Sequence, residues 1–142
     1  MGNQEYKNHS RYVFGFHIIA GGAIVALLIG SIINLVHAAE SNLYSASLIC
    51  LVAVILGLLF WYTRTFALKA QDRAIRAEEN LRHFALTGKL LDARLHINQV
   101  IALRFAPDEE FVDLARRAAE TGMRSAQIKQ EIRNWRADHH RV

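Results

Sequence analysis

Charge is nearly missing from the first half of this chain: between Phe14 and Thr63 the only formally charged residue is Glu40. A soluble segment of that length would carry a solvated face, so the gap excludes an ordinary globular N-terminal half. Cysteine is reduced to Cys50, which excludes a disulfide framework and leaves that side chain as a small apolar residue. Proline occurs once, at Pro107, and neither proline nor glycine lies between Gly57 and Gly88. Nothing therefore breaks a helix through that stretch. Also missing are a glycine-rich phosphate loop, a Ser-His-Asp or Cys-His set, paired acids placed in a cleft, and a close set of metal ligands. No catalytic residue, cofactor or metal is assigned, and an enzyme is the least supported class.

What is present begins with two apolar runs, 13–36 and 43–62, parted only by 37–42. A membrane-crossing helix needs roughly 20 apolar residues to cover some 30 Å of hydrocarbon, and each run has that length. The expected fold is all-α: a two-span transmembrane hairpin whose second span continues into a long cytoplasmic helix, followed by three short cytoplasmic helices. Three regions follow: a cytoplasmic segment 1–12, the hairpin 13–62, and a helical cytoplasmic domain 63–142. Lys7 and Arg11 precede the first run, Arg64, Lys69, Arg73 and Arg76 follow the second, and 37–42 contains no Lys or Arg. The positive-inside rule then puts both termini in the cytoplasm and 37–42 outside. A cleaved signal peptide ending at Ala38 is the competing reading, but the apolar run before it exceeds the usual 7–15 residues of such a leader.

Within the first run, Gly22, Ala26 and Gly30 recur at four-residue spacing, a flat face on which another helix can come close. The chain's own second span, a neighbouring subunit or a pore are its three uses. His17 and Asn34 are the polar residues that stand out in this run, and polar groups inside a bilayer are costly enough to be marked as a site. Anchoring near the interface or a structural hydrogen bond accounts for His17 at its depth. A haem or metal site shared with His9 lacks an attachment motif or a close ligand pair.

The second run is expected to remain helical to about Leu86, with Gly88 ending it in the left-handed conformation. Ala67, Ala70, Ala74, Ala77, Leu81 and Phe84 alternate steps of three and four, a heptad seam that favours close approach over strong association. Acid-first pairs at four-residue spacing flank it: Asp72 with Arg76, Glu78 with Arg82, Glu79 with His83. Beyond Gly88 the pattern predicts a buried segment from Ile97 to Phe105, then a helix opened by Pro107 and three acids. That helix has Phe111, Leu114, Ala115 and Ala118 as its inner stripe and stops at Gly122. A last helix is capped by Ser125 and has Ile128, Ile132 and Trp135 on one side. From Arg64 onward fifteen Lys or Arg stand against eleven Asp or Glu, which accounts for the net +4 of the whole chain. Arg73, Arg76, Arg82, Lys129, Arg133 and Arg136 are the candidate contacts to anionic inner-leaflet lipid or a cytoplasmic protein partner. A helix-turn-helix reader of nucleic acid is disfavoured, because acids crowd the helix before the basic one and Trp135 and Ile132 are packing anchors. The adjacent His139 and His140 cannot share a helix face, so they form no helical metal pair.

The strings YKNHSRYV (6–13), KAQDRAIRAEENLRHF (69–84), IALRF (101–105) and NWRADHHRV (134–142) resemble an uncharacterised family of small two-span bacterial membrane proteins. That resemblance covers nearly the whole chain and implies the hairpin with a helical tail, without an activity, cofactor or functional residue to carry over. The chain departs from the family at Phe14, where a proline is expected. Two functions follow as expectations: a homo-oligomeric scaffold acting through its cytoplasmic helices, or a small channel with the glycine-rich first span lining a pore.

Overall fold

The computed structural model describes residues 13–137, and every regular element among them is helical. Lys7, His9 and Arg11 of segment 1–12, and the His139-His140 end, lie outside the described residues. A single π-helical stretch, Gly15–Ala20, leads into α1, Gly21–Val36; a short 3-10 turn, Glu40–Asn42, leads into α2, Leu43–Thr87. Three shorter helices follow, α3 (Ile97–Leu103), α4 (Asp108–Thr121) and α5 (Ser125–Glu131). The described residues divide into two compact units, 13–67 and 68–137, with the division inside α2.

In the first unit the π-helical entry was not legible in the residue pattern. The Val13 carbonyl there receives the His17 backbone N–H at 2.9 Å and also has the His17 Nδ1 2.9 Å away, so one acceptor serves two groups. α1 meets α2 at Gly21 and Ile24, which approach Phe60 and Gly57; Leu28 and Ser31 of α1, and Ala46, Cys50 and Ala53 of α2, are buried or half-buried at the same three- and four-residue spacing. Phe16 stacks on Phe60 with ring centroids 4.2 Å apart, and Ile24 Cγ2 lies 3.9 Å from where a Gly57 Cβ would stand. Small residues at Ala46, Ala53 and Ser31 are the most buried, as close helix approach requires. Ser31 spends its hydroxyl on the Leu28 carbonyl at 2.9 Å, which removes the cost of burying it.

The second unit has the core. In α4, Phe111, Leu114, Ala115 and Ala118 are each no more than 2% exposed, as the three- and four-residue spacing predicts. Pro107 stands just before the helix in an extended conformation, its carbonyl taking the Glu110 and Phe111 N–H groups, and three acids fill the first turn. Gly122 ends α4 at φ +65°, and Met123 N–H returns to the Ala118 carbonyl. Gly88, at φ +72°, closes α2 likewise through its N–H to Phe84 O at 2.7 Å.

Other boundaries differ by a residue or two. α3 stops at Leu103, so buried Phe105 belongs to the connection that follows. Arg124 rather than Ser125 precedes α5, because Gln127 reaches back to the Arg124 N–H at 2.7 Å and supplies the cap from inside the helix. Ile132 and Trp135 lie past the end of α5. Trp135 still closes the core, 4.9 Å from the Phe105 ring, and the Arg136 N–H to Phe105 O bond of 2.8 Å holds the chain there.

Since Phe111 is wholly buried and Leu90 is 63% exposed, Phe111→Ala is expected to cost the tail unit about 4 kcal/mol. Leu90→Ala should cost under about 0.5 kcal/mol. Chemical denaturation followed by circular dichroism measures both.

Candidate interaction surface

The part of α2 that belongs to the second unit has two unlike sides. Ile75 and Glu79 are each 6% exposed, and Gln71, Asn80, Arg82 and His83 beside them are half-buried. At 100° per residue, Ala70, Ala74, Ala77, Leu81 and Phe84 fall on the other side, and all five are exposed. The heptad seam is therefore not the face on which the chain packs its own α3–α5.

What selects the inner face is a cation. The Arg82 side chain is only 12% exposed and makes bonds of 2.8 Å to the Ala106 carbonyl and 3.0 Å to Glu79 Oε2. Its Nε and Nη2 lie 2.7 and 2.6 Å from Asp108 Oδ1, and its guanidinium lies 4.3 Å from the centre of the Phe111 ring. A planar fork with five N–H donors can satisfy all three acceptors at once. Arg82, a candidate lipid or partner contact by sequence, is thus engaged by acceptors of its own chain. Its helix partner is Glu79, three residues back, rather than Glu78. His83, assigned to Glu79, instead sets Nδ1 2.7 Å from the Lys89 carbonyl at the turn after α2.

Three further polar residues make tertiary bonds that the sequence did not point to, Glu110 having been read only as a first-turn acid. Asn80 Oδ1 accepts the Leu91 N–H at 2.9 Å. Gln99, 7% exposed, accepts the His96 N–H and donates to the Met123 carbonyl, joining the start of α3 to the end of α4. Glu110 accepts the backbone N–H groups of Arg133 and Asn134. A capping-box signal, Gln three residues after the cap, was available for Gln99; long-range partners of the other two leave no local pattern.

The remaining candidates are placed as follows. Arg73 is exposed, and Arg76 is also exposed yet reaches the Leu95 carbonyl at 3.3 Å. Lys129 lies 5.7 Å from the Phe105 ring centre, and Arg133 and Arg136 are exposed, their backbone N–H groups already bonded. In the first unit Gly22, Ala26 and Gly30 are exposed, and a Cβ on Gly22 or Gly30 would meet nothing within 4 Å. These three therefore lie off the α1 face that meets α2, where Ile24 stands against Gly57. His17 is half-buried and lies against Phe16, ring centroids 5.3 Å apart; Asn34 is exposed; Ala67 is half-buried.

Surface ion pairs cover α4. Asp113 pairs with Arg116 at 2.7 Å and Arg117 at 3.0 Å, and Arg117 also pairs with Glu131 of α5. Hydrogen bonding to Arg116, the larger cause, holds the Asp113 carboxyl below the ordinary carboxylate range. Asp92 is lowered to about 2, first by its side-chain hydrogen bond with Arg94. Among the described residues no group of three or more His, Cys, Asp and Glu could hold a metal ion.

The described residues thus define an all-helical protein with two helices, Gly15–Val36 and Glu40–Thr87, long and apolar enough to cross a membrane. The chain belongs to the family of unknown function DUF6526, which it matches over residues 1–142. No curated protein and no solved structure matches it.

Replacing Arg82 by Leu would strand Glu79, whose side chain is 8% exposed, and is expected to cost about 3 kcal/mol. Arg82→Lys keeps the charge without the fork and should cost less; thermal unfolding ranks the two. For Asp92 the folded pKa lies below the ordinary 3.8. Its contribution to stability is therefore present above pH 3.8 and is lost as pH falls through about 2. A carboxyl-resolved NMR titration should read that midpoint, and Arg94→Ala should return it towards 3.8.

Proposed function

We propose that this protein is a homo-oligomeric scaffold of the bacterial cytoplasmic membrane. A hairpin of 13–62 crosses the bilayer, both termini and the helical domain are cytoplasmic, and 37–42 faces outward. Several features support the membrane reading. Only 6% of the most apolar stretch of Gly15–Val36, and 11% of that of Glu40–Thr87, is buried. A core helix of a soluble protein would be covered by its own chain, whereas lipid is the solvent such surfaces require. Exposed Tyr44 and Trp61 stand near opposite ends of the second span, about 26 Å apart at 1.5 Å per residue, which suits aromatic side chains at the two interfaces. Arg64, Lys69, Arg73 and Arg76 follow that span, and 37–42 has no Lys or Arg, which fixes the direction of this reading.

The observation that carries the scaffold reading is the outer side of α2, where Leu81 is 68% and Phe84 51% exposed. Bulky apolar side chains on a helix in water invite a protein partner. Arg73 and Arg76 lie closer to the span, where an anionic leaflet attracts basic side chains. Scaffolding requires no catalytic residue, and self-association through α2 would leave α3–α5 to present a surface to a cytoplasmic protein.

Full-length protein in mild detergent, its mass measured by light scattering with detergent correction, is expected to be a defined oligomer that Ala74→Glu with Ala77→Glu dissolves. A monomeric wild type would overturn the scaffold. The open Gly22-Ala26-Gly30 face also suits a pore lining, and the same preparation decides that reading in a bilayer. Gly22→Asp should give a leak if the face lines a pore, and only misassembly without conductance if it does not.

A further inference from the structure

Leu81 and Phe84 are the bulky end of an apolar side of α2 that continues, at steps of three and four, through exposed Ala77, Ala74 and Ala70. On the opposite side Ile75 and Glu79 are buried and Arg82 bonds the Ala106 carbonyl and Asp108, while the described residues leave the Leu81–Phe84 side exposed. In a heptad, Ala74 and Leu81 take position a, and Ala70, Ala77 and Phe84 position d. The seam is then flanked by Arg73 at g and Glu78 at e, both exposed. The other flanking positions, Gln71, Asn80 and Ala85, are uncharged.

Charge placement selects the occupant. In a parallel, in-register helix pair, a g residue lies beside the e residue five positions further along the partner helix, where ion pairs set partner and orientation. The step from Arg73 to Glu78 is that step, so a second copy presents an acid to each arginine. An antiparallel pair would set g beside g and e beside e, Arg against Arg and Glu against Glu. Membrane topology acts in the same direction, since copies inserted alike send their α2 helices out of the bilayer in parallel.

We infer that α2 pairs in parallel and in register with α2 of a second copy, through Leu81 and Phe84 with the alanines at close approach, and with Arg73 of each copy on Glu78 of the other. The inference rests on the membrane-scaffold reading above and adds to it the face, the direction and the charge pair. Leu81 and Phe84 supply most of the apolar area to be covered, and the flat alanine stretch allows the helix axes to converge.

The test is disulfide trapping in native membranes. In a full-length Cys50→Ser background, Ala77→Cys is expected to form a cross-linked dimer under mild oxidant, while Lys69→Cys, off the seam, stays monomeric. Adding Arg73→Glu should lower the Ala77→Cys yield on the order of fivefold, because attraction becomes repulsion on both sides of the pair. Adding Glu78→Arg as well should restore it. Light scattering of the same protein separates the two levels of the argument. An oligomer whose Ala77→Cys yield does not exceed that of Lys69→Cys would overturn this pairing and leave the scaffold standing; a monomer would overturn both. Failure of Glu78→Arg to rescue Arg73→Glu would overturn the charge pair.

Discussion

The guanidinium of Arg82 is the constraint on which the tail unit depends. It joins a helix, a connection and the first turn of another helix: Glu79 in α2, the Ala106 carbonyl, and Asp108 at the start of α4. Its face lies over Phe111, the largest side chain of the α4 stripe, so the ion pairs and the apolar core are built on one another. Glu79 is nearly sealed from water and is tolerable there because the fork is beside it. Choosing Arg82 and Glu79 as the inward residues also determines which side of α2 faces outward, and with it which apolar side chains stay exposed.

The first unit is held by different means. With Glu40 as the only charge between Phe14 and Thr63, it relies on close contact: a Phe16–Phe60 stack, Ile24 against Gly57, and small, buried side chains at Ser31, Ala46 and Ala53. Its buried hydroxyl is bonded to its own helix. One chain thus uses two chemistries, and in the proposed setting each suits its solvent. Ion pairs serve where water can screen and exchange them, and van der Waals fit serves where lipid removes the hydrophobic drive between helices.

Such a division bears on the scaffold proposed above. In the second unit α2 has an inner side occupied by Ile75, Glu79 and Arg82 and an outer side that is apolar and exposed. The small helices α3–α5 are individually too short to persist alone. Ile75 and Glu79 are covered on one side of α2, and the opposite side is left exposed.

The sequence by itself determined the elements. Apolar length and the charge gap marked 13–36 and 43–62, glycines marked the ends of α2 and α4, and the three- and four-residue spacing in Phe111, Leu114, Ala115 and Ala118 marked an inner stripe the structure buries. These are local properties, written in composition, periodicity and backbone freedom, so a linear reading finds them. The tertiary structure alone decided which faces meet. α1 turns Ile24 rather than Gly22, Ala26 and Gly30 towards α2, and α2 turns Ile75, Glu79 and Arg82 rather than its alanine seam inward. The physical reason is that periodicity names candidate faces, while the choice between them depends on fit and on polar partners far along the chain. Ala106 and Asp108, which hold Arg82, stand more than twenty residues from it and leave no trace in the local pattern.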